Sequence, residues 1–293
     1  MGVTLFCLGK KAIKALESLN SELITIIDCI VIGQDKNVLY DYSSDILQWA
    51  EKNHIKNFSR QCFDNELNKS KYQITIGWRW INNIKQNQQL IIMHDSLLPK
   101  YRGFNPLVTA LINRDKKIGV TVLLGTDEYD KGDIISQKSI KIHYPIKIVD
   151  AIEKVSNLYG ELLKNLLVNI SNKQTFIAKK QDESKASYSL WRDETDYHIN
   201  WNKDAEYIKR VIDAIGFPYK GAYTYFKNEK IRILDVEIME DKNIINRDVG
   251  KLVFKVTGRP VIVCGKGLLI INDSYSESGE KMIFNDQFRI KFT

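Results

Sequence analysis

The sequence predicts an α/β protein in which a mostly parallel sheet, covered by helices on both faces, is followed by a smaller β-rich domain. Two observations lead to this prediction. Apolar runs alternate with amphipathic runs over the first half of the chain, and the later part consists of short strand-like runs separated by turn residues. With 293 residues, the chain is long enough for two buried cores.

The alternation in the first part predicts a strand-helix-strand-helix order. We expect Ser44 to cap the second helix, and Pro106 suits a first helical position because its missing N–H would be unpaired there. Such an order predicts a Rossmann-like, mostly parallel sheet. The predicted strands are residues 4–8, 23–32, 72–77, 90–93, 119–124 and 134–142, and the predicted helices are residues 11–19, 45–53, 106–113 and a long one from residue 148.

The composition becomes polar near residue 172, and we place the domain boundary there. The predicted domains are residues 1–178 and 201–293, joined by a connector at 179–200. One helix is expected at 204–215, and the remaining short runs predict a small open β-barrel or sandwich of the OB-like kind. These runs are residues 222–226, 231–237, 251–256, 261–264 and 268–271.

Composition and charge narrow the class of protein. No apolar run approaches the roughly 20 residues that cross a bilayer, and the N-terminus lacks a signal-peptide pattern, so we expect a cytoplasmic protein without a membrane partner. The four cysteines show no metal-ligand spacing, and no metal is expected. The formal net charge of +7 is spread along a chain with 36 acidic residues, which suits a phosphorylated small substrate as well as a nucleic acid.

Polar residues that directly follow two predicted strands are the candidate catalytic residues. His94 follows the run 90–93, and Asp130 lies in the loop after the run 120–124. Ligands bind beyond the carboxyl ends of parallel strands, so we expect both side chains at the same edge of the sheet. An imidazole beside a carboxylate can transfer protons. From the residues alone, a lone histidine after a strand is more often a hydrogen-bonded structural residue, and Asp-Lys-Gly-Asp is by itself a good turn sequence.

The segment around these two residues resembles the catalytic core of the formyltransferase family, which includes glycinamide ribonucleotide transformylase, methionyl-tRNA formyltransferase and the sugar N-formyltransferases. The separation between His94 and Asp130 also matches that family. The resemblance covers about residues 1–240, since residues 199–201 and 218–222 are similar to the start of the family's C-terminal domain. The matching positions are His94, residues 96–99, Tyr101, Gly103, residues 119–121, Asp130, Gly132 and Asp133.

The resemblance implies a function and a set of binding residues. His94 would be the general base for an attacking amine, Asp130 would assist it, and N10-formyltetrahydrofolate would be the formyl donor. For the two tryptophans of the implied folate site, packing in the core remains an open alternative. The implied folate-binding residues are Trp78, Arg79, Trp80, Thr126, Asp127, Glu128 and Tyr129.

One position departs from the family pattern. The family's asparagine two residues before the histidine is Ile92 in this chain. In the family that side chain donates a hydrogen bond to the formyl oxygen, and loss of one such donor costs about 10²–10³ in rate. The imidazolium of His94, a backbone N–H or the amide of Asn105 could replace it, and the sequence does not rank them.

The resemblance implies that the formyl acceptor is an amine. The sequence gives only indirect indications of the molecule that bears this amine. Lys10, at the start of the first helix, and Arg102 are candidate phosphate contacts, and a solvated side chain is the open alternative for both. Ser96 and Asn105 complete the expected substrate-binding set. The run 187–197 resembles the sugar N-formyltransferases, and no basic insertion lies between residues 94 and 142.

These features favour a nucleotide-linked amino sugar over a nucleic acid, with the N-formyl sugar used in surface glycans. Two alternatives stay open: a methionyl-tRNA formyltransferase, and a non-catalytic relative that binds folate or a nucleotide sugar. A homodimer is also left open.

Overall fold

The computed structural model describes residues 2–82, 84–284 and 289–293. The chain divides into two compact units. The first contains Met1–Ala110, Asp115–Ile142 and Asp150–Trp191, and the second contains Leu111–Arg114, His143–Val149 and Arg192–Thr293. Residues 179–191 of the predicted connector therefore group with the first unit.

The first unit is built on a seven-stranded sheet with the strand order β3-β2-β1-β4-β5-β7-β8. Strands β1 to β5 pair in parallel, whereas β7 pairs antiparallel with both β5 and β8. The sheet confirms the predicted fold class. Its strands, with the short pair β6 and β9, are β1 Val3–Cys7, β2 Ile27–Ile32, β3 Lys56–Ser59, β4 Tyr72–Ile76, β5 Gln89–His94, β6 Arg102–Gly103, β7 Lys117–Leu124, β8 Ile134–Lys141 and β9 Tyr188–Ser189.

The central strands explain the parallel core. Every residue of β1 and of β4 is buried, as expected for strands that are covered on both faces. Helices connect β1 to β2 and β2 to β3. The helices are α1 Gly9–Glu17, α2 Ser21–Ile24, α3 Ser43–Lys52, α4 Pro106–Ile112 and α5 Ile148–Ser171.

The antiparallel direction of β7 corrects one premise of the sequence argument. His94 pairs with Thr121 and Ile91 pairs with Leu124, so β7 ends where β5 begins, away from His94. Asp130 therefore does not reach the edge of His94 by following its strand. The hairpin loop 125–133 must turn back toward His94, and its conformation places Asp130.

The predicted cap of α3 is also wrong. The helix begins at Ser43, and the preceding residue, Tyr42, has a left-handed φ of 59° and makes no side-chain cap. Instead, Asp41 Oδ1 accepts hydrogen bonds from Ser43 N at 3.0 Å and from Ser43 Oγ at 2.8 Å. Asp41 thus satisfies a free N–H at the start of the helix, in place of Ser44.

The second unit is an antiparallel sheet with one longer helix, α6 (Ala205–Ala214), whose N-terminus is capped by Asp204 through a 2.8 Å bond from Tyr207 N. The sheet has the order β10-β11-β14-β13-β12 and confirms the predicted β-rich domain. Part of its core is formed by Val261, Val263, Leu268 and Ile270. Its strands are β10 Ala222–Phe226, β11 Glu229–Met239, β12 Leu252–Val256, β13 Arg259–Val263 and β14 Leu268–Ser276.

Within residues 2–82, 84–284 and 289–293, no helix has both the length and the apolar character needed to cross a bilayer.

Candidate active site

His94, the last residue of β5, has a side chain that is only 8% exposed. Its Nε2 lies 2.9 Å from the carbonyl oxygen of Tyr101. Because a carbonyl oxygen only accepts, we assign the proton to Nε2, which donates to Tyr101. In the neutral ring, Nδ1 is then the basic nitrogen.

Asp130 lies opposite that nitrogen. Its Oδ1 is 3.5 Å from His94 Nδ1, and its side chain is 12% exposed. Its other oxygen, Oδ2, accepts a hydrogen bond from Gly103 N at 2.8 Å. The structure therefore brings the two predicted residues together, and a proton taken up at Nδ1 would produce an imidazolium beside a carboxylate.

The loop after His94 is tied to the neighbouring strands. Thr121 Oγ1 on β7 donates to Ser96 O at 2.6 Å and accepts from Leu98 N at 3.1 Å. Gln137 Nε2 on β8 donates to Leu98 O at 2.7 Å. These bonds hold the start of the loop whose later residue, Tyr101, binds His94.

Ile92 occupies the position of the family asparagine on β5. Successive side chains of a strand point to opposite faces, so Ile92 shares a face with His94. It is half-buried and carries no hydrogen-bond donor in its side chain. Asn105, a candidate replacement, is half-buried with a left-handed φ of 48°, and its carbonyl accepts from Thr109 N at 3.1 Å at the start of α4.

A charged cluster lies behind the histidine. Asp95 forms an ion pair with Lys11 of α1, and its Oδ1 accepts from Tyr159 Oη of α5 at 2.6 Å. Burial acts to raise the pKa of Asp95, but the charge and hydrogen bonds of Lys11 and Tyr159 outweigh it, and the pKa is lowered below 3.8. Burial, together with Asp95, raises the pKa of Tyr159. Asp95 is therefore an ionised, fixed neighbour of His94.

The candidate phosphate contacts are both engaged by protein groups. Lys10 pairs with Glu153 at 2.5 Å. Arg102 has a side chain that is 0% exposed, and its guanidinium binds Glu183 and Gln181. The prediction of Arg102 as a phosphate contact disagrees with this conformation, because its donors point at these two side chains. Ser96, the next expected substrate contact, is buried, and its hydroxyl has no hydrogen-bond partner among the described residues.

The tryptophans of the implied folate site pack against protein groups. Trp78 and Trp80 lie 4.8 Å apart edge to face, and Trp78 lies 5.2 Å from Phe6. Both indoles cover Gly33, where a Cβ would lie 2.7 Å from Trp80 and 2.9 Å from Trp78. Arg79 between them pairs with Asp35. These contacts favour the packing alternative for the two tryptophans.

The other implied folate segment, residues 126–129, borders an open cavity. Thr126 Oγ1 donates to Glu128 O at 2.9 Å within the loop, and Tyr129 is 62% exposed. The cavity has a volume of about 450 Å³, in the range of small-molecule sites. Its lining residues flank Asp130 and the strand pair β6 and β9: Arg102, Gly103, Phe104, Asp127, Glu128, Tyr129, Lys131, Tyr188, Ser189 and Leu190.

Two connector residues that sequence reasoning missed hold the loops of the site. Gln181 Nε2 donates to Asp130 O at 2.7 Å, and Ser187 Oγ accepts from Tyr101 N at 3.0 Å. A polar run without periodicity predicts only a solvated linker, so no signal in the sequence marked Gln181. Ser187 begins the run 187–197 that resembles the sugar N-formyltransferases, but that resemblance gave it no role. For metals, the part of the chain that the structure describes contains no cluster of three potential His, Cys, Asp or Glu ligands.

Comparison with known proteins identifies the family. A formyl transferase model matches residues 75–169, and a model of the formyl transferase C-terminal domain matches residues 193–291. The chain belongs to the formyl transferase family. Among curated members, methionyl-tRNA formyltransferase of Caldanaerobacter subterraneus subsp. tengcongensis is 31% identical over 192 residues, which are 66% of this chain. The match spans 60% of that relative's length.

Solved structures of the family share the fold. An N-formyltransferase of Helicobacter canadensis, solved with folinic acid and dTDP-3-aminofucose, has a TM-score of 0.68 at 20% identity and covers 96% of this chain and 100% of its own. The sugar 3N-formyl transferase WlaRD, solved in the presence of dTDP and 5-N-formyl-THF, has a TM-score of 0.66 at 20% identity, with coverage of 96% and 98%. At 20% identity, this similarity shows that the chain has the same fold as these two proteins.

Proposed function

We propose that this protein is a folate-dependent N-formyltransferase that uses N10-formyltetrahydrofolate as the donor. The observation that carries the proposal is the pairing of His94 Nδ1 with Asp130 Oδ1 at 3.5 Å, in a chain that belongs to the formyl transferase family. At 3.5 Å, His94 Nδ1 and Asp130 Oδ1 are too far apart to form a strong hydrogen bond with each other. The pair therefore leaves Nδ1 available to an incoming amine.

The chemistry follows from the fixed ring. The folate supplies the formyl group. The acceptor nitrogen bonds to the formyl carbon and loses a proton, the bond between that carbon and N10 of the folate breaks, and N10 takes up a proton to leave as tetrahydrofolate. Tyr101 O holds the proton on Nε2, so His94 accepts the amine proton at Nδ1. Asp130 then stabilises the imidazolium by its charge. Proton transfer to a positioned general base such as His94 is worth about 10²–10⁴ in rate.

We propose that the donor binds in the cavity beside Asp130. The loop 126–129 lines about 450 Å³ of open space and presents Tyr129 as an exposed ring. Two family members of the same fold were solved with folinic acid or 5-N-formyl-THF. We place the reacting end of the folate here, and the contacts of residues 126–129 with it remain a prediction, as do those of residues 78–80.

For the acceptor, we propose an amino sugar linked to a nucleotide, whose N-formyl product serves surface glycans. The Helicobacter canadensis relative was solved with dTDP-3-aminofucose. The loop 125–133 supports a small acceptor, because it carries Asp127, Glu128, Asp130 and Asp133 against one Lys131 and so repels an RNA backbone. Methionyl-tRNA is the second candidate, since the curated sequence relative carries that name.

A single-turnover assay tests the proposal. The full chain is mixed with N10-formyltetrahydrofolate and, in separate reactions, with dTDP- and UDP-linked amino sugars and with methionyl-tRNA. We expect a formylated product with at least one nucleotide sugar and none with methionyl-tRNA. Product only with methionyl-tRNA would show that methionyl-tRNA, and not a nucleotide sugar, is the acceptor. Folate binding without product from the whole panel would show that the protein is a non-catalytic relative.

A further inference from the structure

Residues 179–189 of the connector cross both loops that carry the catalytic pair. Lys179 and Ile134 exchange two backbone hydrogen bonds of 2.8 Å next to the loop 125–133. Farther along, β9 pairs with β6 in the loop that follows His94. The connector therefore contacts the supports of His94 and of Asp130 within the first unit.

Gln181 makes the contact on the Asp130 side. Its Nε2 donates to Asp130 O at 2.7 Å and to Gly132 O at 2.8 Å. Asp130 has a left-handed φ of 54°, which is uncommon for residues other than glycine, although aspartate is one of those that adopt it most often. One amide group thus bridges the two carbonyls on either side of Lys131 and holds the turn that aims the Asp130 carboxylate.

The Gln181 side chain is itself held in orientation. Its Oε1 accepts from Arg102 Nη2 at 2.8 Å and from Arg102 Nε at 3.1 Å. Arg102 is fully buried, and its Nη2 and Nη1 also bind the Glu183 carboxylate, at 2.6 and 2.9 Å. The buried guanidinium therefore fixes which end of the amide faces the Asp130 loop.

We propose that Gln181 is a positioning residue that acts through Asp130, and that the connector carries it for this purpose. The inference rests on the proposed function for its kinetic consequence but not for its geometry. Misplacement of a catalytic group by about 1 Å can lower a rate by about 10²-fold. Because Asp130 lies opposite His94 by virtue of a loop and not of its strand, the loop needs such a support.

The test is a double-mutant cycle with a matched control. Gln181→Met keeps the size and neutrality of the side chain and removes both donors together with the Oε1 that accepts from Arg102. Lys180→Met introduces the same residue at the exposed neighbouring position. We expect Gln181→Met to lower kcat about 10- to 100-fold with little change in KM, and Lys180→Met to behave as wild type. In an Asp130→Asn background, Gln181→Met should lower kcat little further.

A measurement without substrate separates this inference from the proposed function. We expect the ¹⁵N resonance of His94 Nδ1 to move in Gln181→Met toward its position in Asp130→Asn, and to stay unchanged in Lys180→Met. Equal kcat values for the two methionine variants, an undiminished loss in the Asp130→Asn background, or an unmoved resonance would overturn the inference. If Gln181→Met fails to fold, Gln181→Asn, one methylene shorter, takes its place in the cycle. A wild type inactive on every acceptor would refute the proposed function and leave the resonance test valid.

Discussion

At the scale of single residues, the site is defined by what each ring and carboxylate atom contacts. His94 is oriented by the Tyr101 carbonyl and faces Asp130, and Asp95 behind it is held by Lys11 and Tyr159. The motif predicted His94 and Asp130 from their spacing. It gave no role to Asp95, because an acid next to a histidine reveals its partners only once distant helices pack around it.

The residue that departs from the family pattern gives the first prediction. Ile92 shares a face of β5 with His94 and has no donor. We expect Ile92→Asn to raise kcat about tenfold or more, because one oxyanion donor is worth about 10²–10³ in rate. Ile92→Val is the matched control and should leave kcat near wild type. A fall in kcat with asparagine would show that the site is built around the apolar side chain.

The second prediction concerns the pH dependence of stability. The pKa of Asp95 in the folded protein lies below its ordinary value of 3.8, so folding favours the ionised form. Its contribution is complete above that ordinary value and is lost as the pH falls through the lowered one. We expect Asp95→Asn to reduce the free energy of unfolding by about 1.5–3 kcal/mol at neutral pH, and by less in acid.

Urea unfolding at pH 7 and near pH 3 measures this difference. The exposed Asp127→Asn serves as the control and should show no such dependence. A destabilisation by Asp95→Asn that grows as the pH falls would contradict the assigned direction of the shift.

At the scale of elements, the parallel strands were predictable and the antiparallel return was not. Continuous apolar runs such as Val3–Cys7 are typical of strands buried on both faces. By contrast, β7 is equally apolar, and its direction depends on pairing with β5 and β8, which no local pattern encodes. The hairpin loop 125–133 and the connector therefore had to be seen in three dimensions before Asp130 could be placed.

Gly132 supplies the prediction for this loop. A Cβ at this position would lie 1.7 Å from Leu124 O, so the backbone must shift to admit one. We expect Gly132→Ala to destabilise the protein by about 1–3 kcal/mol and to lower kcat by displacing Asp130. Gly216→Ala is the control, since its nearest contact would be an ordinary 3.5 Å to Ile212 O. Unchanged kcat and thermal stability in Gly132→Ala would show that the loop tolerates the shift.

At the scale of the whole molecule, the net charge of +7 does not translate into a nucleic-acid surface around the site. Several lysines are paired with acids, including Lys100 with Asp115 at 2.6 Å and Lys10 with Glu153 at 2.5 Å. The loop 125–133, which carries Asp130, is acidic. Composition alone allowed either a nucleic acid or a phosphorylated small substrate as the partner. The distribution of charge favours the small substrate.

Salt dependence tests this choice of acceptor. Contacts with many phosphates of a nucleic acid release counterions, and six to ten of them lower affinity by about 10³–10⁵ between about 50 and 200 mM salt. A nucleotide sugar offers few phosphates, so we expect kcat/KM to fall by less than about tenfold over that range. A steep fall for the preferred acceptor would indicate a nucleic acid instead.

We propose that His94, oriented by Tyr101 and facing Asp130, accepts the amine proton during formyl transfer. Single-turnover transfer from N10-formyltetrahydrofolate to the preferred acceptor, compared between wild type and His94→Ala at equal thermal stability, tests it most directly. We expect His94→Ala to lower the rate constant about 10²- to 10⁴-fold. A His94→Ala rate close to that of wild type would contradict it.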